Sequence, residues 1–422
     1  MSDTIFALSS GRPPAAIGVI RVSGPGALEA AQALAGRLPE PRRAALRTLR
    51  DGEGRVLDRA LLLVFPGPAS ATGEDLVELH LHGGRAVVAA VENALAAQGL
   101  RRAEAGEFTR RALASGRIDL AQAEGLADLL QAETEAQRVA AVGAAEGLVS
   151  RMVREWSGRA LALSALVEAA LDFSDEDDVA VDHLGVAEGV TTLRAEMAAT
   201  LDQPAVERLR DGVRVVLTGP PNAGKSTLLN LLAQREAAIV SPIAGTTRDV
   251  IEAPVVYKGD MYLLSDTAGL VEGTRDPIEA IGVERARTVA QAADVLLWLG
   301  DDPPGGDAIW VWARADEPGR ENLPEGGDVG VSREWPDSVT ALWRLIGERT
   351  RTMLPQADRP ALNARARAHV ADAVAALIAQ SDDLLIVAEQ LRDARTALAR
   401  VTGEEATEAM LDALFGRFCI GK

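Results

Sequence analysis

Residues 214–227 read Arg-Val-Val-Leu-Thr-Gly-Pro-Pro-Asn-Ala-Gly-Lys-Ser-Thr, and this stretch decides the fold of the central part of the chain. Its apolar run predicts a buried β-strand, and Lys225 and Ser226 predict the first turn of a helix. Gly219 and Gly224 permit the tight turns between strand and helix. Consecutive backbone N–H groups in such a loop, with the helix N-terminus, form a cavity for phosphate oxygens. The stretch therefore predicts a nucleotide-binding α/β domain, with Lys225 directed at the phosphates and Ser226 at Mg²⁺.

Length and composition restrict the class of protein. With 422 residues, the chain is long enough for two or three domains with separate cores. A single cysteine excludes an intrachain disulfide and is typical of reducing compartments. The N-terminus lacks the basic segment and apolar run of a signal peptide, and no apolar stretch reaches the roughly 18 residues of a membrane span. We therefore expect a soluble, cytoplasmic protein without membrane contact.

The charge of the chain is negative overall but uneven. A net charge of −18 argues against general affinity for nucleic-acid backbones. Five arginines of the N-terminal part, which are either an RNA-contacting face or ordinary solvated charges, lie close together in sequence: Arg101, Arg102, Arg110, Arg111 and Arg117.

The lysines are informative because they are so few. Of the 44 basic residues only Lys225, Lys258 and Lys422 are lysine. A compact ammonium fits between phosphates where a planar guanidinium does not. Retention therefore indicates a chemical need at Lys225, whereas Lys422 is as consistent with an accidental terminal lysine as with a functional one.

Hydrophobic patterning divides the chain into four segments. Residues 1–118 alternate short apolar runs and turns with one helix, and predict an α+β domain. Residues 119–210 have helical periodicity, 211–355 alternate strands and helices as in a parallel sheet, and 356–422 are helical again. The predicted fold class is multidomain α/β and α+β. A P-loop α/β domain is inserted between the two halves of a discontinuous α-helical domain, after an N-terminal α+β domain.

Two further motifs follow the phosphate loop in an informative order. Gly-Thr-Thr-Arg-Asp stands at 245–249, and Asp-Thr-Ala-Gly at 266–269. A threonine in a mobile loop can close over the γ-phosphate and complete the Mg²⁺ shell, while Asp266 ends a predicted strand and can hold the metal through water. Each motif alone is a weak signal, but this order favours a GTPase over an ATPase.

The element that would specify guanine is incomplete. After a predicted strand at 308–312, an Asn-Lys-x-Asp motif is expected, but residues 313–316 read Ala-Arg-Ala-Asp. Asp316 retains the carboxylate that accepts two hydrogen bonds from guanine, and Ser332 can present its backbone N–H to the guanine oxygen. The missing amide predicts weaker nucleotide affinity and less sharp discrimination between GTP and ATP, since one lost hydrogen bond costs about 0.5–1.5 kcal/mol.

The sequence also lacks the usual water-orienting glutamine, since Leu270 follows the Asp-Thr-Ala-Gly motif. Either hydrolysis is slow or another group does this work. The side chain of Asn222 can ligate a monovalent cation beside the phosphates, which would supply the charge of an arginine finger. On the residues alone, Asn222 is equally well interpreted as a local brace of the loop.

Taken in order, these motifs and the terminal Cys-Ile-Gly-Lys at 419–422 resemble the tRNA-modification GTPase family MnmE (TrmE), one of the cation-dependent GTPases related to TrmE, Era, EngA, YihA and septins. N-terminal segments agree, among them Thr-Gly-Glu-Asp at 72–75, Gly-Glu-Phe-Thr at 106–109 and Asp-Leu-Ala-Gln-Ala-Glu at 119–124. The resemblance covers essentially the whole chain. The chain departs from the family at Ala313-Arg314 and in a shortened stretch between Leu299 and Ile309.

The resemblance implies the roles of individual residues. The GTP site would comprise Asn222, Ala223, Gly224, Lys225, Ser226, Thr227, Ser241, Pro242, Ile243, Ala244, Gly245, Thr246, Thr247, Asp266, Thr267, Ala268, Gly269, Asp316 and Ser332. Mg²⁺ would be held by Ser226 and Thr247, and K⁺ by Asn222, Ser241, Ile243 and Thr246. Glu279 would orient the attacking water, and Cys419 is a candidate for the modification chemistry. The tetrahydrofolate derivative, 5-formyl- or methylene-tetrahydrofolate, would contact Arg21, Glu78, Arg117 and Lys422.

The resemblance also implies the biology. The N-terminal domain (1–118) would bind the folate and form a homodimer, and K⁺ would help G domains (211–355) to pair across their switch loops. With the FAD- and NADH-dependent partner MnmG, in a heterotetramer or larger complex, the protein would install a carboxymethylaminomethyl or aminomethyl group at C5 of the wobble uridine of tRNA. Two alternatives remain from the sequence: an RNA-binding ribosome-assembly GTPase, and a low-turnover GTPase-like scaffold.

Overall fold

The computed structural model describes residues 3–172, 185–235, 252–266, 293–355, 360–377, 381 and 383–421. The described residues fall into two compact units. Unit 1 comprises residues 1–127, 144–164 and 391–422, and unit 2 comprises 128–143 and 165–390. Mixed sheets with helices appear in both, so the predicted multidomain α/β and α+β class is confirmed.

Unit 1 is built on a six-stranded sheet with the order β3-β4-β5-β2-β1-β6. Neighbours are antiparallel except for the β1–β6 pair. Two helices pack on it through buried alanines, valines and leucines. The elements are β1 (Ile5–Leu8), β2 (Ile17–Ser23), α1 (Ala27–Ala35), β3 (Ala45–Arg50), β4 (Val56–Phe65), β5 (Leu76–His82), α2 (Arg85–Ala97), β6 (Arg101–Arg102) and α3 (Glu107–Ala114).

The alternation within β5 shows why these residues form a half-buried strand. Val77, Leu79 and Leu81 are buried in the core under α1 and α2, whereas Glu78 and His80 between them are partly exposed. Period-two alternation places the polar side chains on the opposite face of the sheet. Arg21 of β2 stands directly across from Glu78, so the polar face carries a cross-strand pair of opposite charges.

The helical segments follow the predicted order. They comprise α4 (Leu120–Gln131), α5 (Glu135–Ala145), α6 (Leu148–Asp172), α7 (Val186–Leu201) and α8 (Glu207–Asp211), and after the second sheet α11 (Ala364–Ala376), α12 (Leu384–Thr402) and α13 (Glu408–Phe415). Within unit 1, Phe415 and Phe418 pack on Ala123 and Ala127 of α4. Within unit 2, Arg367 of α11 donates to backbone carbonyls at the end of α7. Residues distant in sequence are therefore joined within each unit, and the single discontinuous helical domain stays a prediction.

The sheet of unit 2 has the order β12-β11-β10-β7-β9-β8, parallel except for the β8–β9 hairpin. Its elements are β7 (Val213–Thr218), α9 (Lys225–Arg235), β8 (Glu252–Tyr257), β9 (Asp260–Asp266), β10 (Val295–Trp298), β11 (Ala308–Ala313), β12 (Val329–Val331) and α10 (Pro336–Thr350). Helices α9 and α10 cover one face, where Trp343 lies stacked on Tyr257 at 4.7 Å between ring centroids.

Two described connections between parallel strands of this sheet contain no helix. Residues 299–307 join β10 to its parallel neighbour β11, and residues 314–328 join β11 to β12. Parallel neighbours usually need a crossover of a dozen or more residues, most often a helix. At the first of these connections, Trp310 of β11 is buried and its Nε1 donates to the carbonyl of Gly300 (2.9 Å).

Candidate functional site

The phosphate-loop stretch folds as strand, loop and helix. Strand β7 ends at Thr218, and α9 begins at Lys225. Gly219 has a φ of 141° and Gly224 a φ of 97°, backbone conformations that residues with a Cβ rarely adopt. A Cβ on Gly219 would also lie 3.2 Å from the backbone of Leu299, so glycine allows the loop to pass close to β10.

The two chemical side chains at the start of α9 are both held in place. Lys225 is buried, and its Nζ donates to the carbonyls of Gly219 (2.7 Å) and Pro220 (2.9 Å). The ammonium therefore lies inside the loop, where incoming phosphate oxygens would replace carbonyl partners. The Ser226 hydroxyl donates to the Asp266 carboxylate (2.6 Å), across the parallel β7–β9 pair. The sequence predicts that Ser226 ligates Mg²⁺ and that Asp266 holds the ion through water, and the fold brings these two side chains into contact.

The two residues expected to contact guanine, Asp316 and Ser332, lie near each other in the fold, but they differ in how far they are exposed to solvent. Asp316 is exposed in the connection after β11, as a carboxylate that binds a base must be. Ser332 is buried at the end of β12, and its N–H donates to the Ser338 hydroxyl (3.2 Å). A guanine oxygen would have to displace that hydroxyl to use the N–H predicted for it.

Several predicted site residues lie outside the described part of the chain. They are Ser241, Pro242, Ile243, Ala244, Gly245, Thr246, Thr247, Thr267, Ala268, Gly269, Glu279 and Lys422. The described nucleotide-site residues are the phosphate loop with the start of α9 (Asn222 to Thr227), Asp266, Asp316 and Ser332.

A second candidate site lies on unit 1, in a cavity of about 340 Å³ at the side of its sheet. The lining residues are Arg42, Phe65, Ala69, Ser70, Ala71, Leu76, Glu78 and Arg117. Glu78 and Arg117, two of the positions implied for folate, therefore share one cavity. Arg21, the third, is joined to Glu78 by two hydrogen bonds of 2.8 and 3.2 Å and lies 5.7 Å from the Phe108 ring.

The electrostatics of this cavity favour an ionised carboxylate. Burial alone would raise the pKa of Glu78, but the hydrogen bonds and charge of Arg21, followed by the contact with His80 (3.3 Å), hold that pKa below its usual range. Glu78 is therefore held as an anion, with Arg21 bonded to one carboxylate oxygen and His80 beside the other. The Nδ1 of the neighbouring His82 lies 2.7 Å from Asp58, and among the described residues there is no cluster of three His, Cys, Asp or Glu side chains suited to a metal ion.

The arginine cluster of the N-terminal part is mostly engaged within the protein. Arg111 is buried and donates to Asp3, Glu74 and Glu107. Arg101 pairs with Asp3 and Glu107, Arg102 with Glu92, and Arg110 with Glu408 and Asp412. Arg111 therefore cannot serve an RNA-contacting face, and the interpretation as solvated surface charge is also wrong for this residue. The sequence signal was present in Gly-Glu-Phe-Thr-Arg-Arg, where Glu107 and Arg111 are one helical turn apart.

The C-terminal tail lies against the N-terminal domain within unit 1. Ile420 forms a β-bridge with Ala105, and Cys419 is exposed. Gly421 has a φ of 97°, and a Cβ there would lie 2.2 Å from the carbonyl oxygen of Leu8. The tail therefore passes the end of β1 so closely that position 421 requires glycine. The fold brings the two ends of the chain together.

Comparison with known proteins gives full-length matches. Residues 4–117 match the family described as GTP-binding protein TrmE N-terminus, and residues 120–419 match the MnmE helical domain family. The protein "tRNA modification GTPase MnmE" of Erythrobacter litoralis is 57% identical over 100% of both chains. The chain belongs to the MnmE family of tRNA modification GTPases. The assignment made from the motifs is thereby confirmed, together with the enzyme class.

Other relatives carry the same description. The MnmE of Rhizorhabdus wittichii is 55% identical, over 100% of this chain and 97% of its own. Among solved structures, Era of Aquifex aeolicus bound to GDP·AlF4⁻ is 24% identical, covering 40% of this chain and 69% of that one, with a TM-score of 0.25. Within the described part of this MnmE-family chain, every helix is too short or too polar to cross a bilayer.

Proposed function

We propose that this chain hydrolyses GTP at the phosphate loop and that hydrolysis drives a conformational cycle during modification of the wobble uridine in tRNA. The observation that carries the proposal is the contact between Ser226 and Asp266 beside the buried ammonium of Lys225. A hydroxyl at the start of α9 and a carboxylate at the end of β9, next to a cation in a loop of N–H groups, suit Mg²⁺ and a nucleotide phosphate.

The residues present fit Mg²⁺, which prefers carboxylate and hydroxyl oxygens and retains several waters. Ser226 would ligate the ion, Asp266 would hold it through water, and Thr247 would complete its shell. When bound, Mg²⁺ neutralises charge on the phosphates. Lys225 keeps a second positive charge in the loop and loses its carbonyl partners to phosphate oxygens.

K⁺ would be held by Asn222, Ser241, Ile243 and Thr246, and Glu279 would orient water. Support for Asn222 comes from its place in the loop, since it is exposed and has a φ of 65°. Pairing of two G domains would complete the cation site.

The second part of the proposal places a tetrahydrofolate derivative in the cavity of unit 1. An ionised Glu78 would accept hydrogen bonds from the N–H groups of the pterin ring, and the exposed Arg117 would attract the anionic glutamate tail. The C-terminal Cys-Ile-Gly-Lys, which passes the end of β1, would bring Cys419 and Lys422 to this side of unit 1.

In this scheme residues 1–118 form the folate and dimerisation domain, 119–210 and 356–422 the helical domain, and 211–355 the G domain. The protein acts in the cytoplasm as a homodimer with MnmG. An RNA-binding ribosome-assembly factor would need a basic module after the G domain. The last described helix instead carries acidic residues, Glu408 and Asp412, paired with Arg110.

Mass spectrometry of tRNA nucleosides tests the proposed function. A strain lacking this gene should lose the C5 substituent of the wobble uridine, and the wild-type chain should restore it. Lys225→Ala and Glu78→Ala should each fail to restore it, whereas the control Arg344→Ala, an exposed change on α10, should restore it. Unaltered wobble nucleosides in the deletion strain would contradict the proposal.

A further inference from the structure

Two arginines that line the cavity of unit 1 differ from their neighbours in having no acidic partner. Four arginines of the N-terminal cluster pair with carboxylates, and Arg21 pairs with Glu78. Arg42 and Arg117 line the same cavity, and neither has an aspartate or glutamate partner among the residues that the structure describes. The cavity therefore carries two positive charges that nearby described carboxylates do not balance, in a chain whose net charge is −18.

Arg42 is fixed at the cavity by the loop between β4 and β5, residues 66–75. It lies before β3 with a φ of 61°, in the left-handed region that residues other than glycine adopt uncommonly. Its N–H donates to the carbonyl of Val64 (2.8 Å), and its guanidinium donates to the carbonyl of Ala69 and lies 5.6 Å from the centre of the Phe65 ring. Since a guanidinium has five N–H donors, most of them remain for a ligand.

Arg117 is held against the same β4–β5 loop, in the turn after α3. Its N–H donates to the carbonyl of Ala112 (2.8 Å), and the nearby Ser115 hydroxyl donates to the carbonyl of Thr72 (2.7 Å). A Cβ on Gly73 would lie 3.3 Å from Cγ of Arg117, so the arginine stem passes directly over this glycine. One loop therefore positions both of the arginines that lack an acidic partner.

We propose that Arg42 and Arg117 form a carboxylate clamp that selects folates by their glutamate tail, with Arg42 as the binding residue for the second carboxylate. This inference rests on the proposed folate site. The tail glutamate carries an α- and a γ-carboxylate, and a planar guanidinium binds a carboxylate through two parallel hydrogen bonds. Arg117 binds one carboxylate and Arg42 the other, while the ionised Glu78 binds the ring in the same cavity. A folate without its glutamate leaves both guanidinium groups without an anion.

Binding of two ligands to the full-length protein tests the clamp. They are 5-formyl-tetrahydrofolate and the same ring system without the glutamate, 5-formyl-tetrahydropteroate. Isothermal titration calorimetry should give wild type a clear preference for the ligand with the tail. Arg42→Gln keeps an N–H for the Ala69 carbonyl but removes the charge, so the ratio of the two affinities should fall about tenfold, as expected for the loss of one charge-assisted hydrogen bond. Arg117→Gln should lower the ratio to a similar extent.

A matched control lies one residue along the chain. Arg43 is exposed and paired with Glu40 (3.3 Å), so Arg43→Gln removes the same charge outside the cavity and should keep the wild-type ratio. If wild type binds neither ligand, the proposed folate site itself is wrong. If wild type binds both ligands equally well, or if Arg42→Gln keeps the wild-type ratio and changes only the melting temperature, the carboxylate clamp is overturned.

Discussion

At the scale of single residues, Asn222 combines a backbone role with a side-chain role. Its φ of 65° lies in the left-handed region, which asparagine tolerates better than most residues, and its carbonyl accepts from Arg314. The backbone role is therefore visible in the structure. The role of its amide side chain as a cation ligand stays a prediction.

Substitution of Asn222 separates these two roles. Asn222→Gly keeps the left-handed backbone but removes the amide, so GTP hydrolysis should lose its stimulation by K⁺. The loss of one contact to a charged group costs about 1.5–3 kcal/mol, which is roughly 10- to 100-fold in rate. Asn222→Asp keeps an oxygen in place and should retain stimulation. If Asn222→Gly is stimulated as strongly as wild type, the side chain is only a brace of the loop.

Glu107 shows how a buried ion network makes stability depend on pH. Burial raises its pKa, but hydrogen bonds from Arg101, the Glu104 N–H and Arg111 outweigh burial and lower the pKa below the ordinary 4.5. A carboxylate with a depressed folded-state pKa stabilises the fold above its unfolded-state pKa and loses this effect as the pH falls through the folded-state pKa.

We therefore expect the melting temperature of unit 1 to decline below about pH 4.5, the ordinary value from which Glu107 is shifted. Glu107→Gln should be less stable at pH 7, by about 1–3 kcal/mol for a buried partner left unsatisfied, with a shallower decline in acid. Glu53→Gln, at an exposed carboxylate, is the control. Scanning calorimetry between pH 3 and 7 measures both, and parallel profiles for wild type and Glu107→Gln would contradict the prediction.

At the scale of elements, the period of the hydrophobic residues predicted where strands and helices form. It did not predict which strands pair. The strand predicted at 308–312 is confirmed within β11, and the helix predicted to begin with Lys225 and Ser226 is confirmed as α9, because alternation and helical spacing are local properties. Strand β6 has two residues and pairs in parallel with β1, which no local pattern announces. The ion network of Arg111 likewise joins residues from Asp3 to Glu107 that are distant in sequence.

Of the two connections without a helix, the sequence indicated only one, as a shortened stretch between Leu299 and Ile309. The sequence did not show that the buried Trp310 would donate from its indole ring to the carbonyl of Gly300 in the connection before β11. Packing of this kind depends on shape and cannot be read from hydrophobicity alone.

Removing the ring tests this account of the sheet. Trp310→Ala should destabilise unit 2 by about 3–5 kcal/mol, the usual cost of truncating a buried aromatic side chain. Amide hydrogen exchange of residues 308–313 in the full chain should become faster. Trp310→Phe keeps most of the volume and loses only the bond to Gly300, so its effect should be about 1 kcal/mol. Unchanged exchange in Trp310→Ala would show that the ring does not hold the connection.

At the scale of the whole molecule, one unit carries the phosphate loop and the other carries a cavity of about 340 Å³ lined by Glu78 and Arg117. Motif order was enough to assign the MnmE family, since the phosphate loop, the terminal Cys-Ile-Gly-Lys and the N-terminal segments each constrain the family independently. The fold adds that residues from both ends of the chain meet in unit 1. Sequence could not reveal that Arg314 donates to the phosphate-loop carbonyl of Asn222, because that bond depends on the conformation of one turn.

The rate of GTP hydrolysis by the full-length protein, in KCl and in NaCl at matched ionic strength, tests the central claim most directly. A cation-assisted GTPase should be clearly faster in K⁺, with a rate per molecule that rises with protein concentration as G domains pair. Lys225→Ala should be inactive in both salts. Equal and negligible rates in K⁺ and Na⁺ would contradict the account and favour a scaffold that has lost turnover.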